Sequence, residues 1–267
     1  MGKASRTKKD RPGALREQSS AVAGEAGAGG APAAVAGTPG SPWEIPLSLA
    51  AVLVAAAIFR AVYFYLDSRN PIFFDGLFLD SSVYDNWAKA IAAGDWLGRE
   101  AFYFPPLYPY LLGLIDRWFG HSYALIYLAQ QLLGLINLVL IYRIAEAVFT
   151  ARAALYAAVL AALYAPLAFF ETKVLGTTLG LTLNLIALLL LVRRERTRDG
   201  AWGPWFIAGL TIGVAALCLP GSILLTILFV PILLRWRNGA AAASLAAGTF
   251  AALLPILAHN LYVAGDP

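Results

Sequence analysis

The sequence has very few of the residues that build disulfides and metal centres. Its 267 residues include one cysteine and two histidines. Cys218 lies inside an apolar run and cannot form an intrachain disulfide. His121 and His259 have no neighbouring cysteine and no metal-ligand spacing. These absences argue against a zinc or redox centre, and we predict no metal site.

Charged residues are scarce as well. They make up only 13% of the chain, against about 25% in an average soluble protein, whereas 60% of the residues are hydrophobic. The apolar residues form runs long enough to cross a bilayer, about 18 residues or more. The net charge of +4 comes from basic residues at the ends of these runs rather than in one patch. This placement is typical of topology signals, so no nucleic-acid partner is predicted.

The apolar runs predict an all-α fold, a polytopic transmembrane helical bundle with about seven spans. The run 221–234 is short for a crossing and is expected to borrow flanking residues, after a tight turn at residues 219–222. Residues 1–42 are basic and rich in Ala, Gly and Pro, which predicts a disordered cytoplasmic tail before a transmembrane domain at 43–267. The predicted spans cover residues 46–66, 122–149, 153–170, 174–192, 202–219, 221–234 and 240–258.

Arginines in the connections set the predicted orientation. With the N-terminus in the cytoplasm, the arginine-rich connections all lie on the cytoplasmic side, as the positive-inside rule requires. The acidic stretch 67–121 is then a large external loop of a multi-pass protein, and the Ala-, Gly- and Arg-rich composition suits a bacterial inner membrane. Two amphipathic helices are predicted to lie along the membrane surface in this loop. One begins near Ser82–Asp85, which resembles a capping box, and the other covers residues 105–120.

Three stretches resemble the GT-C glycosyltransferases, in particular the family-39-like branch with protein O-mannosyltransferases and lipid A aminoarabinose transferases. Leu79–Ile115 resembles the first external loop of that branch, since an acidic residue precedes Tyr-x-x-Trp-Ala, Gly-Asp and Pro-Pro-Leu-x-Pro-Tyr. Tyr164–Leu179 resembles the second external loop. Pro255–Asp266 is similar to the Pro-x-x-x-x-Asn plus Gly stretch of the family. The resemblance spans about residues 45–266.

The resemblance implies a helical membrane core with an external active site and a polyprenyl-phosphate sugar donor. The implied reaction moves the sugar to a hydroxyl of a lipid, protein or glycan acceptor, with inversion at the anomeric carbon. Such a site needs a carboxylate that takes the proton of the acceptor, and cationic or N–H groups near the departing phosphate. No cofactor is certain, and a divalent cation is left open. Family members are usually longer, so we expect this chain to be the N-terminal membrane portion.

Asp80 is the acid that the resemblance places in the first external loop, and it is the predicted catalytic base. Its position before Ser-Ser-Val also suits a helix N-cap, and the two roles can coexist. Asp85 is the alternative base, although its position inside the helix suits a capping role better. Asp85 and Tyr84, from the same motif, are predicted to contact substrate.

Five further residues are predicted to bind substrate. Lys173 lies just before the next helix, and a lysine beside a helix N-terminus suits a phosphate. Glu171 would orient Lys173, position the acceptor or help to hold a cation; the alternative for both residues is a solvated turn. Arg60, toward the outer end of the first span, either snorkels to the headgroups or meets the donor phosphate. His259 and Asn260, at the outer end of the last span, contact substrate or mark the membrane boundary.

Two other functions compete with the glycosyltransferase hypothesis. A transporter or lipid flippase would be expected to place ionisable groups near the bilayer midplane. The acidic groups concentrate in the predicted external loop instead, which disfavours an ion-coupled carrier. A non-catalytic membrane subunit or scaffold stays open. Replacing Asp80 with asparagine discriminates, because only an enzyme would lose transfer while keeping its fold.

Overall fold

The computed structural model describes residues 45–197 and 202–264, which fold into helices with no β-strand among them. The all-α prediction is confirmed for this part of the chain, and the predicted basic tail at 1–42 lies outside the described residues. The α-helices are α1 (Leu47–Ser68), α2 (Pro71–Phe74), α3 (Asp80–Ala92), α4 (Leu107–Phe119), α5 (Tyr123–Val148), α6 (Ala151–Leu163), α7 (Ala165–Phe170), α8 (Thr177–Thr197), α9 (Gly203–Ala216), α10 (Ile223–Arg235) and α11 (Gly239–Ala264).

Three of the described helices, α1, α5 and α11, are long and apolar enough to cross a bilayer. Large apolar side chains on them, such as Val54, Ile58 and Leu132, are exposed, which is costly in water and favourable against lipid. The other predicted spans correspond to α6, α8, α9 and α10, whose apolar lengths are 10–17 residues. A full crossing needs about 20 residues, so the membrane helices are supported and the count of seven spans stays a prediction.

The bundle is tightest where α9 packs against α11. A Cβ at Gly209 would lie 2.0 Å from the carbonyl oxygen of Leu245, and one at Gly213 would lie 2.5 Å from that of Thr249. Such close backbone approach requires small residues at the interface and is common between membrane helices. On the other side of the bundle, α1 packs on α5 and α6, and α5 packs on α8. These contacts place α1 and α5 next to the loop that precedes α8.

The two helices predicted in the first loop are present as α3 and α4, and they pack on each other. The predicted capping box is wrong, because α3 begins at Asp80 and Ser82 lies inside the helix. The Ser82 hydroxyl donates to the carbonyl of Leu79 at 2.7 Å. The N-cap residue is Leu79, without a side-chain cap, so Asp80 is not the N-cap either. Its negative charge in the first turn is still favourable with the helix dipole.

The span predicted at 153–170 is wrong in its second half. Helix α6 ends at Leu163, and Tyr164 has an extended backbone (φ −77°, ψ 94°) before α7 begins. Pro166 accounts for the break, since in one continuous helix it would lack the N–H that bonds to the carbonyl of Ala162 and its ring would clash with that carbonyl, whereas both are tolerated in the first turn of a new helix. The helix therefore ends before the chain reaches Glu171.

Candidate active site

Three successive turns of α1 contact three consecutive residues after α7. The spacing of 60, 63 and 67 places their side chains on one face of a helix. We call residues 171–173 the clamped segment. The name loop end is used for the end of the bundle at which α1 ends and α8 begins. The pairs are Arg60 with Glu171, Tyr63 with Thr172, and Asp67 with Lys173.

The innermost of these contacts is a buried ion pair. Arg60 Nε donates to Glu171 Oε2 at 2.8 Å and Nη2 donates to Oε1 at 2.9 Å, and each side chain is only 2% exposed. Gly134 of α5 makes room for the carboxylate, because a Cβ there would lie 2.0 Å from Glu171 Oε1. Burial raises the pKa of the Glu171 carboxyl, and the Arg60 guanidinium opposes that rise. The alternatives of a solvated turn at Glu171 and a snorkelling Arg60 are therefore wrong.

Gln130 of α5 holds the clamped segment from the other side. Its Nε2 donates to the backbone carbonyls of Glu171 at 3.2 Å and Lys173 at 2.8 Å, and its Oε1 accepts from the Tyr108 hydroxyl at 3.0 Å. Gln130 is buried, so losing these bonds would leave polar groups unsatisfied in the interior. The network fixes the backbone that carries Lys173. A polar residue in an apolar span was the sequence signal for Gln130.

Lys173 lies at the outermost position of the clamped segment. Its Nζ is 3.1 Å from Asp67 Oδ2 and 5.3 Å from the centre of the Phe169 ring. The Lys173 and Asp67 side chains are 13% and 10% exposed. Helix α8 begins shortly afterwards at Thr177, so the lysine precedes a helix N-terminus, as predicted. An anionic ligand that reached this point could replace Asp67 as the partner of the lysine.

An apolar groove of about 210 Å³ lies between α1 and α6. Phe59 lies in this groove, directly before the buried Arg60 in the chain. Since a helix rises 1.5 Å per residue, Asp67 lies about 12 Å further along α1 than Phe59. The groove and the lysine are thus successive features along one helix. The lining residues are Val52, Ala55, Ala56, Phe59, Val159, Ala162 and Leu163.

Asp80 is exposed as the first residue of α3. Leu79 before it has φ 51°, and such sparsely populated backbone conformations cost about 1–3 kcal/mol and cluster at functional sites. Tyr84, one turn further, is buried and packs edge-to-face against Phe104 and Tyr108. Burial and the charge of Asp80 raise the pKa of Tyr84 to about 12. The Tyr84 hydroxyl therefore keeps its proton and can act as a donor.

Asp85, the next residue of α3 after Tyr84, is buried as well. Its Oδ2 accepts from Lys89 Nζ at 2.6 Å and from the Tyr123 hydroxyl at 3.3 Å, and its Oδ1 lies 3.7 Å from His121 Nε2. The hydrogen bond to Asp85 raises the pKa of Lys89. These contacts join α3 to the start of α5 instead of capping a helix. The geometry gives no support to a substrate contact at Asp85.

His259 and Asn260 hold the connection between α3 and α4 against α11. His259 Nε2 donates to the carbonyl of Leu97 at 2.6 Å, and its ring stacks on Phe102 with the ring centres 3.7 Å apart. Asn260 Oδ1 accepts from the backbone N–H of Phe102 at 2.9 Å. Both residues thus contact protein groups and give that connection a fixed shape.

The geometry does not fit the divalent cation that the resemblance left open. No group of three or more His, Cys, Asp and Glu side chains within residues 45–197 and 202–264 could hold a metal ion. Both Glu171 oxygens accept from Arg60, so a cation at Glu171 would have to displace the guanidinium. We therefore assign no step to a metal.

The structure brings together part of the predicted site. Asp80 and Lys173 are linked through neighbouring side chains, since Tyr84, one turn after Asp80, packs on Tyr108, and Tyr108 donates to Gln130, which bonds the carbonyl of Lys173. The predicted residues that meet are Arg60, Glu171 and Lys173. The residues that sequence reasoning did not assign to the site are Asp67, Gln130 and Gly134.

The chain is similar to a known protein family over the region that contains the clamped segment. A family model described as dolichyl-phosphate-mannose-protein mannosyltransferase matches residues 104–262, which is more than half of the 267-residue chain. The matched range includes the clamped segment and His259, whereas Arg60 and Asp80 lie before it. No curated protein and no solved structure matches the chain.

Proposed function

Because the chain belongs to the dolichyl-phosphate-mannose-protein mannosyltransferase family, whose members are membrane glycosyltransferases of the GT-C type, we propose that it transfers a sugar from a polyprenyl-phosphate donor to an acceptor hydroxyl on the outer face of the membrane. The observation that carries this proposal is the clamped segment, which fixes Lys173 at the loop end, beyond the apolar groove between α1 and α6. A lipid-linked phosphate needs both features, a cation for its head and apolar surface for its tail.

In this proposal the donor lies along α1. The prenyl tail occupies the groove at Phe59, and the phosphate reaches the ammonium group of Lys173, about 12 Å further along the helix. The phosphate then replaces Asp67 as the partner of the lysine. Arg60 acts through Glu171 as a positioning residue, because both of its bonded nitrogens are engaged by that carboxylate. Lys173 stabilises the negative charge that develops on the leaving phosphate.

The transfer itself needs one base. The acceptor oxygen forms a bond to the anomeric carbon on the face opposite the phosphate, which inverts the configuration. The bond from that carbon to the phosphate oxygen breaks, and its electron pair stays on the polyprenyl phosphate. The proton of the acceptor hydroxyl passes to the carboxylate of Asp80. The protonated Tyr84 hydroxyl contacts the acceptor near Asp80. Because an inverting displacement places the acceptor and the leaving phosphate on opposite faces of the sugar, Asp80 and Lys173 act from opposite sides of the anomeric carbon in this proposal.

The test uses the purified full chain in nanodiscs with a panel of radiolabelled polyprenyl-phosphate sugars. Label should leave the lipid for at least one donor, and Asp80→Asn should reduce the rate by at least about a hundredfold, within the typical contribution of a general base. Asp75→Asn is the matched control, because Asp75 is an exposed acid in the same stretch between α1 and α3. It should keep full transfer.

The same assay, with a second measurement in sealed vesicles, distinguishes the alternatives. A scaffold would release no label from any donor, and Asp80→Asn would not affect its assembly or abundance. A flippase would carry the labelled lipid across a vesicle membrane without cleaving it. Transfer by the Asp80→Asn protein at the rate of the unsubstituted chain would exclude Asp80 as the base.

A further inference from the structure

A second cavity lies at the loop end, between α3 and the connection that follows it. Its volume is about 420 Å³, and it opens to the outside of the molecule. Pockets that bind small molecules typically have volumes of about 300–1,000 Å³. The residues that line it include Trp87, Asp95, Arg99, Glu100, Phe102 and Tyr103.

The walls of this cavity are ordered by contacts from three directions. His259 and Asn260 hold the connection against α11 through Leu97 and Phe102. The backbone N–H of Gly98 donates to Asp95 Oδ1 at 3.0 Å, which closes a tight turn at the start of the connection. The Tyr110 hydroxyl of α4 donates to the carbonyl of Trp96. A cavity with fixed walls loses little conformational entropy when a ligand binds.

The cavity combines aromatic rings with charged hydrogen-bonding groups. The Trp87 and Phe102 rings lie 5.2 Å apart, and Tyr103 is 92% exposed. Arg99 and Glu100 are also exposed. The negative face of an aromatic ring attracts the C–H face of a sugar ring, while guanidinium and carboxylate groups bond its hydroxyls. A saccharide needs this mixture, because each sugar ring has an apolar face and a polar rim.

The cavity is also connected to the predicted base. Asp80, Tyr84 and Trp87 are spaced i, i+4 and i+7, so they share one face of α3. Trp87 follows Asp80 by seven positions, which corresponds to about 10 Å along the helix. Phe104, which also lines the cavity, packs on Tyr84. Tyr84 is buried between the two ends of this face, so the link from the cavity to the exposed Asp80 is the short distance along α3, which a short saccharide could span.

We propose that this cavity binds the acceptor and that the acceptor is a saccharide, so that the chain adds its sugar to a glycan. The inference rests on the proposed function, since it names the acceptor of that reaction. A lipid acceptor would need an apolar surface facing the bilayer, whereas this cavity carries three charged side chains. A peptide acceptor would be held mainly through its backbone, and the exposed aromatic faces favour sugar rings instead.

The experiment measures binding separately from transfer. Saturation-transfer difference NMR on the full chain in nanodiscs uses mannobiose and maltotriose as probes and a Ser/Thr-rich peptide as competitor. Tyr103→Ala and Arg99→Ala should each weaken saccharide binding about three- to tenfold. Both side chains are exposed, so these variants should fold. Trp118→Ala is the matched control, because Trp118 is a 72% exposed aromatic residue on α4, and it should leave binding unchanged.

Three results would overturn the proposal: no saccharide binding, equal binding by the Tyr103→Ala protein, or peptide binding that the same substitutions weaken instead. The proposed function fails separately. If saccharides bind as expected but no polyprenyl-phosphate sugar releases its label, the cavity still binds saccharide and the transferase proposal is wrong. If label is released but no saccharide binds or accepts the sugar, only the acceptor assignment is wrong.

Discussion

Replacing Glu171 with glutamine removes the charge that balances Arg60 inside the bundle while keeping nearly the same side-chain volume. Both side chains are 2% exposed, and two hydrogen bonds of 2.8 and 2.9 Å join them. Arg60 Nη1 already has no hydrogen-bond partner among the described residues. Removing one partner of a buried ion pair typically costs about 3–5 kcal/mol, because the remaining charge is left uncompensated. We expect the free energy of unfolding to fall by about that amount in Glu171→Gln.

The single cysteine of the chain provides the assay. Cys218 is buried, and its thiol donates to the carbonyl of Gly176 at 3.0 Å, close to the clamped segment. A thiol-reactive dye therefore labels the protein only after the region opens. When closing is faster than labelling, the labelling rate follows the equilibrium population of the open form. A loss of 3–5 kcal/mol should then raise the rate by about one hundred- to several thousandfold, since each 1.4 kcal/mol corresponds to a factor of ten.

Two variants make this measurement decisive. The double substitution Arg60→Met with Glu171→Leu removes both charges, and replacing a buried pair by apolar residues is often neutral or stabilising. Its labelling rate should return to within about tenfold of the unsubstituted chain. The exposed control Asp75→Asn should not change the rate. If Glu171→Gln labels within threefold of the unsubstituted chain, Arg60 is not buried against Glu171 as described, and the reasoning is refuted.

Two further predictions concern the same segment. Gly134→Ala places a Cβ 2.0 Å from Glu171 Oε1. The substitution should therefore destabilise the protein by about 1–3 kcal/mol and slow sugar transfer. Unchanged Cys218 labelling together with unchanged transfer would contradict this prediction. Asp67→Asn removes the carboxylate that pairs with Lys173 at 3.1 Å. Because the donor phosphate then no longer competes with that carboxylate, KM for the donor should fall while kcat stays unchanged. A raised KM would mean that Asp67 assists donor binding.

Local sequence patterns predicted the helical character of the chain well. Long apolar runs gave α1, α5 and α11, since an apolar run of bilayer length has few other stable conformations. The same reasoning placed two helices in the first loop. Sequence patterns did not predict where helices begin or are interrupted. Pro166 interrupts the span predicted at 153–170, and α3 begins two residues before the predicted capping box. These boundaries depend on backbone geometry at single residues, which periodicity does not resolve.

For the candidate site, the sequence indicated individual residues but not their contacts. The sequence singled out Lys173 and Glu171 in the stretch that resembles the second external loop, and Arg60 by its position toward the outer end of the first span. Nothing in the sequence indicated that Arg60 and Glu171 form a buried pair.

The sequence by itself therefore determined the apolar helices, the family to which the chain belongs, and the residue types available for chemistry, because hydrophobic runs and motifs are local properties of the chain. Tertiary structure alone decided that Gln130, Gly134 and Asp67 surround residues 171–173. Those contacts join positions 37 to 106 residues apart in the sequence, and only the packing of α1 and α5 around that segment brings them within bonding distance.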